Sequence, residues 1–436
     1  MDFSLIKTLN PLRQVPQQLR RNFWLFFSDI AWFGLVSGST VAFLNIYVAH
    51  IGARPTQIGL INAAPPIVSM LFSLSFGAWM VSKPSRRVVV LNSALMRLYY
   101  LPLILLPTLL VAPVQIWLII VMTFLMSVPG TGVQVGFPVL FSEAVPAEWR
   151  AFVAGTRNAI FAIVCILTSL LCGFILENLP FPHNYQIVFV IGFGGAAMTI
   201  VSLYFIRPTA PDIGSGGTRG IPGERLVELR QLLSEPVTRT PANTPTQNYQ
   251  QKLRMDILKS PYNKVLTQIF AFHLMQFLPM PLFPIFAVNV LKVSDQVYSI
   301  GNAIFYSFVF VSSTLLVRLV RKVGNQRTTA LGLISLAIFP LIQSLAQNQW
   351  LFLFAHIFGG AGWGLANGSM YNYGLEKASP NPPAPYLAWF TLFANAGMLL
   401  GALCGPVIAN WLGIRWALAL FGGLRLITGI IIARWK

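Results

Sequence analysis

Charged side chains are scarce in this sequence, and acidic ones are the scarcest. Asp, Glu, Lys and Arg make up 10% of the 436 residues, whereas 55% of the residues are hydrophobic. Soluble domains contain about 25% charged residues, so this composition excludes an ordinary soluble protein. The 30 Lys and Arg residues outnumber the 12 Asp and Glu residues and give a net charge of +18.

Cysteine and histidine are also rare, with three Cys and four His in the chain. Cys165, Cys172 and Cys404 have neither disulfide nor metal-ligand spacing, and we interpret them as small packing residues. The histidines are scattered, and no phosphate-binding loop or nucleophile–base pattern accompanies them. A membrane enzyme acting on lipid would need such groups clustered at one membrane face. We therefore expect no enzyme, no metal and no cofactor.

Long hydrophobic runs occupy almost the whole chain instead. Each run is about 20 to 28 residues long, enough for a helix to cross a bilayer core of about 30 Å. The runs are continuously apolar rather than alternating, which indicates helices and not barrel strands. The twelve predicted membrane segments, numbered 1 to 12, are residues 23–48, 56–80, 88–111, 114–140, 152–176, 184–206, 263–290, 297–319, 328–347, 350–373, 384–411 and 414–433.

The segments form two sets of six. We predict a cytoplasmic N-terminal stretch (1–22), a six-helix bundle (23–206), a cytoplasmic linker (207–261) and a second six-helix bundle (262–436). The linker is rich in Gly, Pro and polar residues, and Glu224 to Ser234 has the leucine spacing of one short helix. That helix is either part of a tether or a surface that docks on the membrane or a partner.

Three motifs recur in the same order in corresponding segments of the two sets. Because six is even, these would be parallel repeats, with a substrate path between them near the membrane midplane. The matching motifs are Asn62-Ala63 with Asn302-Ala303, Gly130-x-Gly132-x3-Gly136 with Gly362-x-Gly364-x3-Gly368, and Phe193-Gly194-Gly195 with Phe421-Gly422-Gly423.

The positive charge is distributed unevenly between the two sides of these segments. Arg54, Lys292 and Arg415 fall in loops on one side, and Arg97 and Arg425 fall inside segments. The remaining Lys and Arg lie on the side of both termini. This asymmetry predicts a cell-membrane protein with both ends in the cytoplasm, and it argues against nucleic-acid binding.

The chain resembles the major facilitator superfamily in this 6+6 plan and in its loops. The loop after segment 4 is similar to the family's P-x3-R-G-x3-G motif, through Pro146, Arg150, Ala151 and Gly155. The loop between segments 2 and 3 resembles the family's G-x3-D-R-x-G-R-R motif less closely. The corresponding residues are Ala78, Ser82, Lys83, Ser85, Arg86 and Arg87.

The departures from these motifs concern closure and coupling. The loop between segments 2 and 3 lacks the acid that is thought to help hold the halves together in the family. The second-half loop keeps Gly324 and Arg327 but has Arg321 in place of that acid. Leu125 stands where proton antiporters of the family have an Arg. The resemblance implies an all-α integral membrane transporter of twelve helices, without naming a subfamily.

Asp29 is the one acidic residue well inside a predicted segment. A charge at such a depth costs about 2.5–3.5 kcal/mol on insertion scales, so we expect it to have a partner or a function. Either Asp29 carries protons or cations for coupling, or it is a structural partner of an Arg or of backbone groups. Arg97, at a similar depth, is a candidate partner, and we expect structural roles for Arg97 and Arg425.

Polar, aromatic and glycine residues near mid-depth point to the cavity. Pro279, Pro281 and Pro284 predict an interrupted segment 7. The substrate-cavity candidates are Trp32, Asn62, Gln134, His273, Gln276, Asn302, Trp363, Asn367 and Tyr371. The candidates for gating or helix packing are Gly130, Gly132, Gly136, Pro279, Gly362, Gly364 and Gly368. The predicted inner-side charge network contains Arg86, Arg87, Glu143, Arg150, Arg327 and Glu376.

These patterns predict a secondary active transporter that moves a small solute by alternating access, coupled to protons through Asp29. An aromatic, amide-rich cavity favours neutral or cationic substrates over phosphates and dicarboxylates. We expect a monomer in the lipid bilayer. The alternatives are an exporter of lipids or lipophilic drugs, and a facilitator-like sensor without coupled transport.

Overall fold

The computed structural model describes residues 17–81, 83–208, 254–378 and 384–435. The predicted linker helix at Glu224 to Ser234 lies outside these residues. The described chain is helical, and nine of its helical stretches are long and apolar enough to cross a membrane. We keep the numbers of the twelve predicted segments for the corresponding parts of the chain.

The N-terminal half contains segments 1 to 6. Segment 1 is one continuous helix that contains a π-helical turn, whereas segment 3 is divided at residues 98–99. In segment 3 the division follows from Pro102, which has no N–H to donate to the Leu98 carbonyl four residues earlier. The helices of this half are Gln17–Val36, Ala42–His50, Pro55–Val81, Ser85–Arg97, Tyr100–Leu109, Ala112–Ala144, Ala147–Asn178 and His183–Phe205, with a π-helical turn at Ser37–Val41.

The C-terminal half contains segments 7 to 12. The helix of segment 7 stops at Phe277 and resumes at Leu282, which is the interruption that its prolines predict. The segment then ends in a π-helical turn. The connection between segments 8 and 9 is shorter than expected, because the helix breaks only at Gly324, whose φ of +83° and ψ of +165° are not helical. The helices of this half are Asp256–Lys259, Asn263–Phe277, Leu282–Ile285, Asp295–Leu345, Gln349–Lys377, Ala384–Leu412 and Ile414–Arg434, with the π-helical turn at Phe286–Val290.

Contacts between helix ends define two ends of the molecule. At one end, which we call the basic end, the Asn22 amide donates to the Arg207 carbonyl and Gln326 donates to the Trp435 carbonyl. At the other, the opposite end, His50 of segment 1 meets Asp295 of segment 8. The two halves pack mainly through segments 5 and 8 and through segments 2 and 11.

Candidate functional site

Asp29 forms a buried ion pair with Arg157 of segment 5. A guanidinium nitrogen lies 3.1 Å from Asp29 Oδ2, and the two side chains are 7% and 11% exposed. The same nitrogen donates to the Phe26 carbonyl at 2.8 Å. The guanidinium carbon lies 5.4 Å from the ring centroid of Phe26 and 4.8 Å from that of Phe137. The pair therefore joins segments 1 and 5, and Phe137 adds segment 4.

Arg97, the candidate partner, does not form an ion pair with Asp29. It donates to the Ser93 carbonyl of its own helix at 3.2 Å instead. By its position in the sequence Arg157 counts among the basic residues on the side of both termini. A signal was available, because position 157 lies five residues inside predicted segment 5 and therefore needs a partner of its own.

Arg425 of segment 12 is fully buried and bonds to backbone carbonyls. It donates to Met275 at 3.2 and 3.0 Å, to Gln276 at 3.0 Å and to Leu336 at 2.7 Å. This agrees with the structural role expected for it. No acidic side chain in the described residues forms an ion pair with it.

Two of these carbonyls are free because of prolines. A helix carbonyl normally accepts from the N–H four residues later. For Met275 and Leu336 that position is Pro279 and Pro340, which have no N–H. Arg425 supplies the missing donors and so links segments 7, 9 and 12. The spacing of the two prolines was visible in the sequence, but not that one side chain reaches both carbonyls.

A cavity of about 340 Å³ lies in the C-terminal half beside Arg425. Three of the predicted cavity residues, Gln276, Asn302 and Trp363, line it. The other lining residues are Phe277, Met280, Phe283, Tyr298, Phe305, Tyr306, Leu336, Phe339, Gln343, Phe352, His356, Gly359 and Arg425. The wall is therefore aromatic, with amide groups and one guanidinium.

Polar atoms of the residues that line this cavity have unused hydrogen-bonding capacity. Gln276 Oε1 and Gln343 Oε1 are buried without a hydrogen-bond partner. His356 Nδ1 lies 2.8 Å from the Phe352 carbonyl, so this nitrogen carries the proton and Nε2 is left as an acceptor. The His356 ring also packs so closely on Gly301 that a Cβ there would lie 2.9 Å from it. Neither Gln343 nor His356 belongs to a motif, so no sequence pattern points to them.

The remaining cavity candidates lie elsewhere. His273 is buried, and its Nδ1 bonds to the Ile269 carbonyl of its own helix. Asn62 accepts from Asn45 within the N-terminal half. Gln134 is exposed and accepts from Ser69 at 3.3 Å. Trp32 is partly exposed, and Asn367 and Tyr371 are exposed.

Gly132, Gly362 and Gly364 lie at close helix contacts. A Cβ on Gly132 would lie 2.6 Å from Asn92 of segment 3. A Cβ on Gly362 would lie 2.6 Å from the Gly332 carbonyl of segment 9, and one on Gly364 would lie 2.1 Å from Ser312 Oγ of segment 8. These contacts agree with a packing role for the glycines.

The opposite end is closed by a polar cluster that spans both halves. Asp295 Oδ1 lies 3.1 Å from His50 Nε2, and Asp295 Oδ2 accepts from the Tyr185 hydroxyl at 2.9 Å. Deeper in the molecule, Asn302 donates to Ser169 Oγ at 3.0 Å. We call His50, Tyr185 and Asp295 the opposite-end cluster.

The protein-family comparison identifies the chain. The model of the Major Facilitator Superfamily matches residues 25–383 and also residues 265–436. The chain belongs to the Major Facilitator Superfamily. As a member of this family it is a membrane transporter and not an enzyme.

Solved structures of the superfamily share the fold at low identity. The nucleoside transporter NupG superposes with a TM-score of 0.62 at 12% identity, covering 97% of this chain and all of NupG. A POT family transporter in complex with a thioalcohol-conjugated peptide gives a TM-score of 0.64 at 14% identity, covering 96% of this chain and 95% of that one. No curated protein matches the chain.

The basic end contains the residues that correspond to the superfamily's loop motifs. Ser85 donates to Glu143 Oε2, which connects segments 3 and 4. The guanidinium carbon of Arg86 lies 5.9 Å from the Tyr204 ring centroid. Arg150 donates to the Val145 and Ser142 carbonyls. In the second half, Asn325 donates to Glu376 Oε2 at 3.0 Å, and Arg87 and Arg327 are exposed.

Proposed function

We propose that the chain crosses the membrane twelve times, in two repeats of six segments at 23–206 and 262–436, joined by the linker 207–261. Segments 2 and 10 are helices of 27 and 29 residues, long enough to span a bilayer in addition to the nine stretches above. The bend at Gly324 divides the 51-residue helix into two segments. The separate family match over residues 265–436 supports the repeat.

The protein works by alternating access, with its basic end in the cytoplasm of the cell. The arrangement described here is closed at the opposite end, where the His50–Asp295 contact joins the halves. The exposed polar side chains of segments 4 and 10, Gln134, Asn367 and Tyr371, lie in the halves of those helices nearer the basic end. A solute would enter or leave on that side in this state.

Coupling to protons takes place at Asp29. The observation that carries this proposal is the buried Asp29–Arg157 ion pair between segments 1 and 5. Protonation of the carboxylate removes one charge from a site with little water and releases the guanidinium, which keeps the Phe26 carbonyl as a partner. The site therefore has two states. With Asp29 ionised, the ion pair joins segments 1 and 5; with Asp29 protonated, that link is lost.

Asp29→Asn tests the coupling. In vesicles containing the purified protein, the variant should lose uptake driven by a pH gradient and keep exchange of substrate between the two sides. Asp256→Asn is the matched control, because Asp256 is exposed and paired with Arg254 outside the membrane segments. Accumulation by Asp29→Asn at the level of the wild type would show that Asp29 is not the coupling site.

The substrate binds in the cavity beside Arg425. Its two unpartnered glutamine oxygens need donors, so the substrate brings O–H or N–H groups. The nearby guanidinium, with only carbonyl partners, makes the cavity unfavourable for cations. We therefore narrow the expected substrates to neutral ring compounds with hydroxyl or N–H groups, such as sugars and nucleosides.

A melting-temperature screen in detergent tests this substrate class. Sugars and nucleosides should raise the melting temperature, whereas lipophilic cations and dicarboxylates should not. A ligand at 100 times its dissociation constant adds roughly 2.7 kcal/mol, enough to be detected. Gln276→Leu should abolish the shift and Gln134→Leu, outside the cavity, should keep it. Stabilisation by lipophilic drugs alone would favour the exporter alternative.

A further inference from the structure

A second cavity of about 520 Å³ forms a groove between segments 8 and 10. It is lined almost entirely by apolar side chains, and two basic residues lie toward the basic end. The lining residues are Phe308, Val311, Ser312, Leu315, Arg318, Leu319, Lys322, Ala361 and Leu365. We call it the outer groove.

The outer groove faces away from the interior of the protein. On segment 8, Asn302 contacts segment 5 of the other half, and Val311 and Lys322 lie on the opposite face at 100° per residue. On segment 10, Gly374 packs on Phe390 of segment 11, and the groove residues of this helix lie on the other side. In a membrane this groove is covered by lipid.

The two basic residues lie where a lipid headgroup would be. Arg318 and Lys322 are four residues apart, one helical turn, so they share a face. Lys322 precedes Gly324, the bend at the basic end, by two residues. Both residues are exposed, and neither forms an ion pair within the described chain. Long basic side chains at such a position extend to the membrane interface.

We propose that the outer groove binds one anionic phospholipid. An acyl chain lies along Val311, Leu315 and Leu365, and the phosphate is held by Arg318 and Lys322. Apolar contact alone would accept any lipid, but two adjacent cations favour a negatively charged headgroup. This site is separate from the cavity beside Arg425 and does not depend on the transported substrate.

Lipid titration of the detergent-solubilised full chain tests the proposal. Phosphatidylglycerol is compared with phosphatidylcholine of the same acyl chains, and bound lipid is counted by native mass spectrometry. We expect one tightly bound phosphatidylglycerol molecule and weaker binding of phosphatidylcholine. Arg318→Gln and Lys322→Gln should each weaken phosphatidylglycerol binding by roughly fivefold.

Arg321→Gln is the matched control, since Arg321 is exposed on the same helix but does not line the groove. It should bind phosphatidylglycerol like the wild type, and the melting temperature of each variant without lipid checks that it is folded. Equal losses in all three variants would overturn the site. Equal binding of phosphatidylcholine, or stabilisation by glycerol phosphate without acyl chains, would overturn the anionic-lipid assignment. If the protein formed a dimer that did not bind phosphatidylglycerol, a second copy of the chain, and not a lipid, would occupy the groove.

Discussion

At the scale of single residues, the buried ion pair is the feature whose energetics are clearest. Asp29 and Arg157 are both about nine-tenths buried, so each is the main compensation for the charge of the other. Removing one partner of a buried pair costs roughly 3–5 kcal/mol, because the remaining charge is left without compensation. Replacing both partners costs less.

We therefore expect Arg157→Gln to lower the melting temperature strongly and Asp29→Asn/Arg157→Gln to recover much of the loss. Thermal unfolding of the purified protein measures both variants. Arg254→Gln, which breaks the exposed pair with Asp256, should change the melting temperature little. If the double variant were as unstable as Arg157→Gln alone, the two residues would not act as a pair.

Single residues also show where prediction from the sequence ends. Asp29 could be identified as an important position because an isolated acid in an apolar run is costly unless it has a partner or a function. The depth of Arg157 within segment 5 indicates that it needs a partner, but only the packing of segments 1 and 5 shows that this partner is Asp29. Gln276 follows His273 by one turn, Asn302 is the repeat partner of Asn62, and Trp363 lies on the glycine-interrupted segment 10. The structure brings Gln276, Asn302 and Trp363 together at one cavity.

At the scale of helices, Arg425 compensates two proline interruptions at once. Its guanidinium donates to the Met275 and Leu336 carbonyls, which Pro279 and Pro340 leave without a helical donor. A buried carbonyl without a donor costs about 1–3 kcal/mol. Arg425→Gln should therefore destabilise the C-terminal half.

A double-mutant cycle checks this explanation. Pro340→Ala restores an N–H that can bond to the Leu336 carbonyl, so Arg425→Gln should cost less in that background, by roughly 1 kcal/mol or more. Pro107→Ala in segment 3 is the control and should be additive with Arg425→Gln. Additivity for Pro340→Ala as well would mean that Arg425 does not replace the missing N–H.

The helix pattern itself was largely predictable, since a continuous apolar run in lipid has few options other than a helix. The differences arise where local chemistry acts within a run. Pro102 divides segment 3, and a break at Gly324, whose φ of +83° a glycine adopts readily, shortens the expected loop between segments 8 and 9. Helix ends also extend beyond the predicted segments, as at Ala144 and Lys377.

At the scale of the whole molecule, the opposite-end cluster joins the halves through charge and hydrogen bonds. Asp295 receives contacts from His50 at the end of segment 1 and from Tyr185 in segment 6. Below it, a Cβ on Gly173 would lie 1.9 Å from Ser299 Oγ, so segments 5 and 8 are in direct contact there. Weakening the cluster should favour opening at this end.

Cysteine labelling measures that opening. A thiol at position 299, introduced as Ser299→Cys with Cys404→Ser, is buried in the closed arrangement. Asp295→Asn should increase its reaction rate with a charged maleimide several-fold, whereas Asp256→Asn should leave the rate unchanged. An unchanged rate in Asp295→Asn would show that the cluster does not hold this end closed.

The position of Arg425 in the last segment has a consequence for biosynthesis. The carbonyls that it satisfies belong to segments 7 and 9, which leave the ribosome earlier. Until segment 12 is made and docks, Met275 and Leu336 lack this donor, and the guanidinium has no site outside the finished half. Assembly of the C-terminal half is therefore completed only by its final helix, and a nascent chain that stops before residue 425 should be a target for quality control.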